Sequence, residues 1–367
     1  MPLHVTHFMN AFLLAVVLIL VLEKAAWSVG LVDRPNSRKL HDGGVPVIGG
    51  LAIFCAFVLT VLLISGAAAP WPLLVGLAVL VGLGVVDDLI DLRAPFRLTV
   101  QVGAALLILL PGGHLIEDLG NLLGNGHWEL GIFALPFTLI FVVGLINAFN
   151  MLDGLDGLAG GVAASAFFWL AVGAALAGRG EQVLLLVLLF STLGFLVFNL
   201  RHPWQARARV FMGDAGSTML GAGIAVFILA AATGPGRLAS LPAWLFLCAL
   251  PAIDTLSLIA RRLLAGQSPM VSDRRHLHHL ILKAGLSERS TAAVLVLSSF
   301  ALGGIGVGGA LLGVPDGVMV LGLVALVGLH SWFVRHDWRV VRREGVTAAE
   351  PPLPALPQTR PVRKRIS

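Results

Sequence analysis

The stretch Asn147-Ala-Phe-Asn150-Met-Leu-Asp153-Gly-Leu-Asp156-Gly-Leu158 sets two amides and two carboxylates at three-residue intervals inside otherwise continuous apolar sequence. An ionised Asp in a membrane helix costs about 2.5–3.5 kcal/mol on insertion scales, so such residues mark function and need compensation. On one uninterrupted α-helix each three-residue step drifts by about 60°, which spreads the four side chains over about half the circumference. They cannot share one stripe. Either the chain breaks at Gly154 and Gly157, or the four serve different partners; a capped, solvated helix end is the plainer alternative. A bound cation is one way to neutralise the acids.

The surroundings are those of a polytopic membrane protein. Apolar residues make up 57% of the 367 and charged residues 12%, and mean hydropathy is +0.92, against about 25% charged residues in soluble domains. Runs of membrane-crossing length fall at about 8–30, 47–66, 72–87, 97–111, 131–149, 158–178, 182–199, 215–233, 241–260, 291–313 and 317–334. The expected fold is therefore all-α, with about eleven transmembrane helices. Of the 25 Lys and Arg residues, only Arg179 and Arg237 lie in loops after even-numbered spans, and Lys24 lies within the first span. All the rest follow odd-numbered spans. The positive-inside rule then makes that side cytoplasmic, with the N-terminus outside and the C-terminus in the cytoplasm.

This asymmetry explains the +5 formal charge through a rim facing anionic lipid, without nucleic acid. The first apolar segment lacks a basic n-region and a small-residue cleavage site, and reads as a retained anchor. Cys55 and Cys248, the only cysteines, both fall in spans, which argues against a disulfide framework or a thiolate metal site. Residues 1–344 read as one multi-span catalytic domain. Residues 345–367 are Pro-rich, then basic, and read as a disordered cytoplasmic tail. No internal repeat is evident.

Five polar clusters fall on the basic side. Besides the opening stretch they are Asp33-Arg-Pro-Asn-Ser-Arg-Lys39, with His41 close behind; Asp87-Asp88-Leu-Ile-Asp91, followed by Arg93 and Arg97; Phe211-Met-Gly-Asp214-Ala-Gly-Ser217-Thr218; and Ser272-Asp-Arg274-Arg275-His276-Leu-His278-His279. The longest loop on the opposite side carries Glu117, Asp118 and Glu129, which read as ordinary solvated charges, so Asp118→Ala is expected to be nearly silent in activity.

Asp87 and Asp91, four apart, are expected about one turn apart on one helical face. Carboxylates so close need a cation, an Arg or a proton between them; pairing with Arg93 and Arg97 is the bland reading. Asp214, with small neighbours at the start of a span, suits either an N-cap or Mg²⁺, which takes one or two protein carboxylates and completes its shell with water and phosphate. The histidines have no Cys beside them and share the region with hard carboxylates, which disfavours zinc, while Arg274 and Arg275 favour an anion. Jointly the clusters describe a site for Mg²⁺ and phosphate. No Gly-rich Walker motif is present, so a nucleotide here would be substrate rather than fuel.

These five motifs, in this order from Asp33 to His279, resemble those of the polyprenyl-phosphate N-acetylhexosamine-1-phosphate transferases. The similarity is strongest to the bacterial enzymes that load GlcNAc-1-phosphate from UDP-GlcNAc onto undecaprenyl phosphate. His276-Leu-His-His279 after Asp-Arg resembles the N-acetylhexosamine branch rather than the phospho-MurNAc-pentapeptide transferases, which carry three consecutive histidines and Phe-Glu. Relatives with similar motifs use FucNAc, QuiNAc or GalNAc, and the local sequence does not choose among these sugars.

The resemblance implies a multi-pass enzyme of the bacterial inner membrane with a cytoplasmic active site. It also implies dependence on Mg²⁺, with Mn²⁺ as a substitute, UDP-HexNAc and undecaprenyl phosphate as substrates, and a homodimer as one assembly open to it. Carried onto this chain, it makes Asp214 and Asn150 the metal ligands and Asp87, Asp88 and Asp91 the catalytic acids. Lys39 and Arg97 anchor the lipid phosphate. Asn147, Asp153 and Asp156 shape the nucleotide-sugar pocket, and Arg274, His276, His278 and His279 contact the diphosphate and sugar. Direct in-line attack is the expected chemistry, with an aspartyl-phosphate route open. Two other classes share features: a transporter with an intramembrane cation site, which would not need the basic His-rich loop, and a CDP-alcohol phosphatidyltransferase, whose Asp spacing is absent.

Overall fold

The computed structural model describes residues 2–33, 43–234, 236–264, 266 and 276–343. Lys39, His41, Arg274, Arg275 and the tail from 345 lie outside the described residues. The chain runs as α1 (Pro2–Val29), β1 (Val32–Asp33), β2 (Val45–Pro46), α2 (Gly49–Ser65), α3 (Trp71–Ile90), α4 (Ala94–Gly112), α5 (Ala134–Leu152), α6 (Leu158–Leu176), α7 (Glu181–Asn199) and α8 (Gly213–Ala232). It continues as α9 (Leu241–Leu245), α10 (Ala249–Leu264), α11 (Leu277–Lys283), α12 (Glu288–Leu311) and α13 (Asp316–Arg343). Among the described residues eleven segments are long and apolar enough to cross a membrane, in the order expected from hydropathy.

The ninth of these spans is built from two helices. Pro251 has no N–H to offer the carbonyl of Leu247 and its ring crowds that carbonyl, so Phe246–Cys248 tighten into a 3₁₀ turn between α9 and α10.

At the centre lies α8, enclosed along nearly its whole length by α2, α3, α5 and α6. Its first turns, Gly213-Asp-Ala-Gly-Ser-Thr, are small enough for neighbouring backbones to touch it. A Cβ on Gly50 of α2 would lie 2.1 Å from the Gly216 nitrogen, and one on Gly84 of α3 would lie 2.2 Å from the Ala215 nitrogen. Side chains at either position would push α8 away from its neighbours.

A short antiparallel pair, β1 with β2, lies beside this point. It is tied to the entry of α8 by Phe211 N–H on the Pro46 carbonyl (2.9 Å) and Gly49 N–H on the Phe211 carbonyl (2.9 Å). The first and fourth motifs are thereby joined through backbone.

Two local expectations change. Asp87 and Asp91 do not share a helical face: α3 ends at Ile90, and Asp91 sits beyond it with a left-handed φ of 52°. In the opening stretch, α5 ends at Leu152 and α6 begins at Leu158 after Gly157, whose φ of +78° suits a residue without a Cβ. The stretch is therefore the end of α5, a turn over 153–157 and the first residue of α6.

At the opposite end of the bundle, Asp118 is no solvated charge. Its Oδ1 accepts from Gly120 N–H (2.7 Å) and from His127 Nδ1 (3.0 Å), and its Oδ2 from Arg237 Nη1 (3.4 Å). Burial would raise its pKa, but these donors outweigh it and hold the carboxyl below the ordinary carboxylate range. It knots the α4–α5 loop to the α8–α9 loop. Asp118→Ala is accordingly expected to lower the melting temperature by a few degrees, about 1 kcal/mol of lost hydrogen bonding. An unchanged melting curve in detergent would refute the knot.

Candidate active site

The N-terminus of α8 leaves backbone N–H groups without helical partners, and an acid from another helix meets them. Asp88, at the end of α3, accepts the Asp214 N–H with both carboxylate oxygens (3.2 and 3.1 Å). Gly213 makes this approach with a φ of +72°, where a Cβ would lie 2.6 Å from Asp88 Oδ2. The positive end of the α8 dipole further offsets the Asp88 charge.

With its own N–H capped by Asp88, Asp214 turns its side chain inward instead of capping the helix itself. Its Oδ1 accepts from Asn150 Nδ2 (2.8 Å), and its Oδ2 faces Arg97 Nη1 at 3.5 Å. The same Arg97 nitrogen lies 2.5 Å from Asp87 Oδ2, and Asp87 Oδ1 accepts the Leu92 N–H (2.7 Å). One guanidinium therefore bridges Asp87, which is 7% exposed, and Asp214.

Asn150 Nδ2 also reaches Ser217 Oγ (3.2 Å), which fixes the amide and leaves its carbonyl oxygen without a donor among the described residues. Next to it, Asn147 donates to buried Gln101 (2.8 Å) and to the Val143 carbonyl (2.8 Å). Asp87, Arg97, Gln101, Asn147, Asn150, Asp214 and Thr218 line one recess with Leu83 and Gly84, about 10 Å³ in volume, the room of one water or small ion. Asp91 is exposed and does not line it.

The two acids of the opening stretch part company. Asp153 stays at the end of α5, its N–H on the Asn150 carbonyl (3.4 Å). Asp156 turns to the α7–α8 connection, where it accepts from Arg201 Nε (2.6 Å) and Ala208 N–H (3.0 Å). Arg201 also pairs with Glu288 of α12. Asp156 thus holds the scaffold around the recess and does not line the recess itself.

The histidines form the neighbouring wall. His278 is 2% exposed, and its Nε2 abuts the turn after α5: a Cβ on Gly154 would lie 2.6 Å from it. Nε2 has no hydrogen-bond partner among the described residues. Burial, reinforced by His279 and His276, pushes the His278 pKa down to about 3, so the unliganded ring is neutral at physiological pH. His276 stacks on it with centroids 5.7 Å apart and planes 4° apart, and the half-buried His279 ring lies 4.2 Å away.

His276 Nδ1 lies 2.8 Å from Asp254 Oδ2, and His330 Nε2 lies 3.2 Å from Asp254 Oδ1. Sequence reasoning missed Asp254, His330 and Gln101. Each is a strongly polar residue inside a span, which is itself a signal in a membrane, but none belongs to a motif run.

A sequence profile described as Glycosyl transferase family 4 matches residues 70–232. An undecaprenyl-phosphate alpha-N-acetylglucosaminyl 1-phosphate transferase of Yersinia pestis is 33% identical over 92% of this chain and 93% of its own length. Its counterpart in Escherichia coli strain K12 is 32% identical over 92% of both chains. A Bacillus subtilis protein described as a probable undecaprenyl-phosphate N-acetylglucosaminyl 1-phosphate transferase is 35% identical over 81% of this chain and 82% of its own.

The neutral, buried state of His278 has a pH consequence. The folded ring takes a proton only near pH 3, whereas the unfolded ring takes one near 6.5. Between these values the unfolded state binds more protons, so stability falls as pH drops from about 6.5. His278→Gln is expected to flatten this acid limb of the melting temperature; an unaltered limb would show that His278 is not held neutral.

Proposed function

The chain belongs to glycosyl transferase family 4, together with bacterial undecaprenyl-phosphate GlcNAc-1-phosphate transferases, and from that membership we propose that it transfers GlcNAc-1-phosphate from UDP-GlcNAc to undecaprenyl phosphate. The single observation that carries the reading onto this chain is the recess at the head of α8. There Asp214, Asp87 and Asn150 converge on a space of single-ion size with one Arg among them.

All the donor atoms available there are hard oxygens, which suit Mg²⁺, with Mn²⁺ as a substitute, and do not suit a soft metal. Asp214 and the free carbonyl oxygen of Asn150 would hold the ion. When bound, it supplies neutralisation of the diphosphate and of the departing UMP.

The chain's own residues do the rest. Arg97 and Asp87, held together by the 2.5 Å contact, orient the lipid phosphate. That phosphate is largely ionised near neutral pH, so its placement in line matters more than proton removal. Asp88 keeps the Asp214 turn in place through its backbone N–H. A lipid phosphate oxygen attacks the sugar-bearing phosphorus of UDP-GlcNAc, a new P–O bond forms, and the bond to UMP breaks with its electron pair leaving on UMP. The products are undecaprenyl-diphospho-GlcNAc and UMP.

Asp153, His278 and His279 form the nucleotide-sugar side, joined to the recess by the turn after α5. The Lys/Arg bias supports a cytoplasmic placement of this face at the inner membrane. The product would open a cell-envelope polysaccharide such as an O-antigen or common antigen.

Purified protein given undecaprenyl phosphate and a panel of UDP-HexNAc donors is expected to release UMP with UDP-GlcNAc and to yield a lipid of the matching mass. Chelation should stop the reaction, and Mg²⁺ or Mn²⁺ should restore it. Asp214→Ala should cost about 100-fold or more in kcat; near-normal turnover would remove Asp214 from the site, and product only with UDP-MurNAc-pentapeptide would change the substrate.

A further inference from the structure

One buried carboxylate takes no part in the recess. Asp254, in α10, is 4% exposed and receives three donors: His276 Nδ1 at 2.8 Å, Leu277 N–H at 2.9 Å and His330 Nε2 at 3.2 Å. A carboxylate is acceptor-only, so this arrangement puts protons on Nδ1 of His276 and on Nε2 of His330. His276 is then left with Nε2 as the atom available to a ligand. His330 is left with Nδ1 buried and without a partner among the described residues.

Such a hub is a poor device for stability. A buried ion or polar triad is commonly no better than apolar packing of the same volume, and the unpartnered His330 nitrogen carries a desolvation cost. Orientation is what the geometry provides. Asp254 grips both the His276 ring and the next backbone N–H, fixing plane and tautomer together. The ring lies nearly parallel to His278, and His278 Nε2 faces the Gly154 turn unpartnered. A rotation of His276 would be passed through this stack to the wall beside Asn150 and Asp153.

We propose that Asp254, seconded by His330 of α13, is a positioning residue for the UDP-sugar side of the site, acting through the tautomer and plane of His276 on the His276–His278 stack. The inference rests on the transferase reading given above. It also brings α13, which carries none of the five motifs, into the machinery.

Steady-state kinetics with both substrates varied tests it. In Asp254→Asn the amide can place an N–H against His276 Nδ1 and reverse its tautomer. The KM for UDP-GlcNAc should then rise about tenfold or more, while the KM for undecaprenyl phosphate stays within about twofold. His330→Phe, which removes one donor and keeps the bulk, should shift the donor KM in the same direction. His330→Gln, which restores an N–H, should return it to within about twofold of the parent.

The His330 pair decides the matter if Asp254→Asn does not fold. Equal shifts in both KM values, an unchanged donor KM, or no difference between His330→Phe and His330→Gln would overturn the positioning role. Absence of UMP release by the unaltered protein would instead overturn the transferase reading.

Discussion

A carboxylate brought into a bundle of membrane helices must be met by donors, and the end where α3, α5 and α8 converge is organised around that requirement. Asp88 meets the free N–H at the head of α8, Asp214 meets Asn150 and Arg97, and Asp87 meets Arg97 and the Leu92 N–H. Most of these pairings are not local, the exception being the Leu92 N–H, five residues on from Asp87. Each joins residues from different helices or from a helix and the loop after it, so the acids hold the helix ends together as well as marking a site. The small residues at the start of α8 make this practicable, because only a backbone-close approach brings the end of α3 within hydrogen-bonding distance of Asp214 N–H.

Two half-sites result, with the turn between α5 and α6 as their hinge point. On one side lies the oxygen-rich recess, with one guanidinium shared by two acids. On the other lies a wall of stacked imidazoles whose central ring is neutral and whose outward nitrogen is unpaired. The chemistry of the two is complementary. In the transferase reading proposed above, the recess would take a hard cation and phosphate oxygens, and the wall the neutral hydroxyl and amide groups of a sugar. Asp156 and Arg201 hold the α7–α8 connection behind this turn, and Glu288 extends the grip to α12.

Much of the fold was legible because hydropathy over a span-length window has few solutions in a membrane: eleven apolar runs gave eleven membrane-length helical segments in the same order among the described residues. The break in the opening stretch was legible too, since polar residues at three-residue spacing could not stay on one helix stripe. Asp91 was misplaced for a local reason: a four-residue spacing implies a shared face only while the helix continues, and α3 stops one residue short of it. Asp118 was misread because a charge in a loop looks solvated until the second loop that donates to it is known.

By itself the sequence determined the number and order of spans, the grouping of the polar motifs on one side by charge bias, and the family resemblance. All three depend on residue type and spacing along the chain. Only the tertiary structure decided which of the motif residues face one another. It separated Asp153 from Asp156, gave Asp88 to the α8 backbone and Asp87 to Arg97, and revealed Asp254 and His330 behind the histidines. The physical reason is that a buried polar group is defined by its partner, and here the partners stand as many as 126 positions apart in the chain, close only because helices pack side by side.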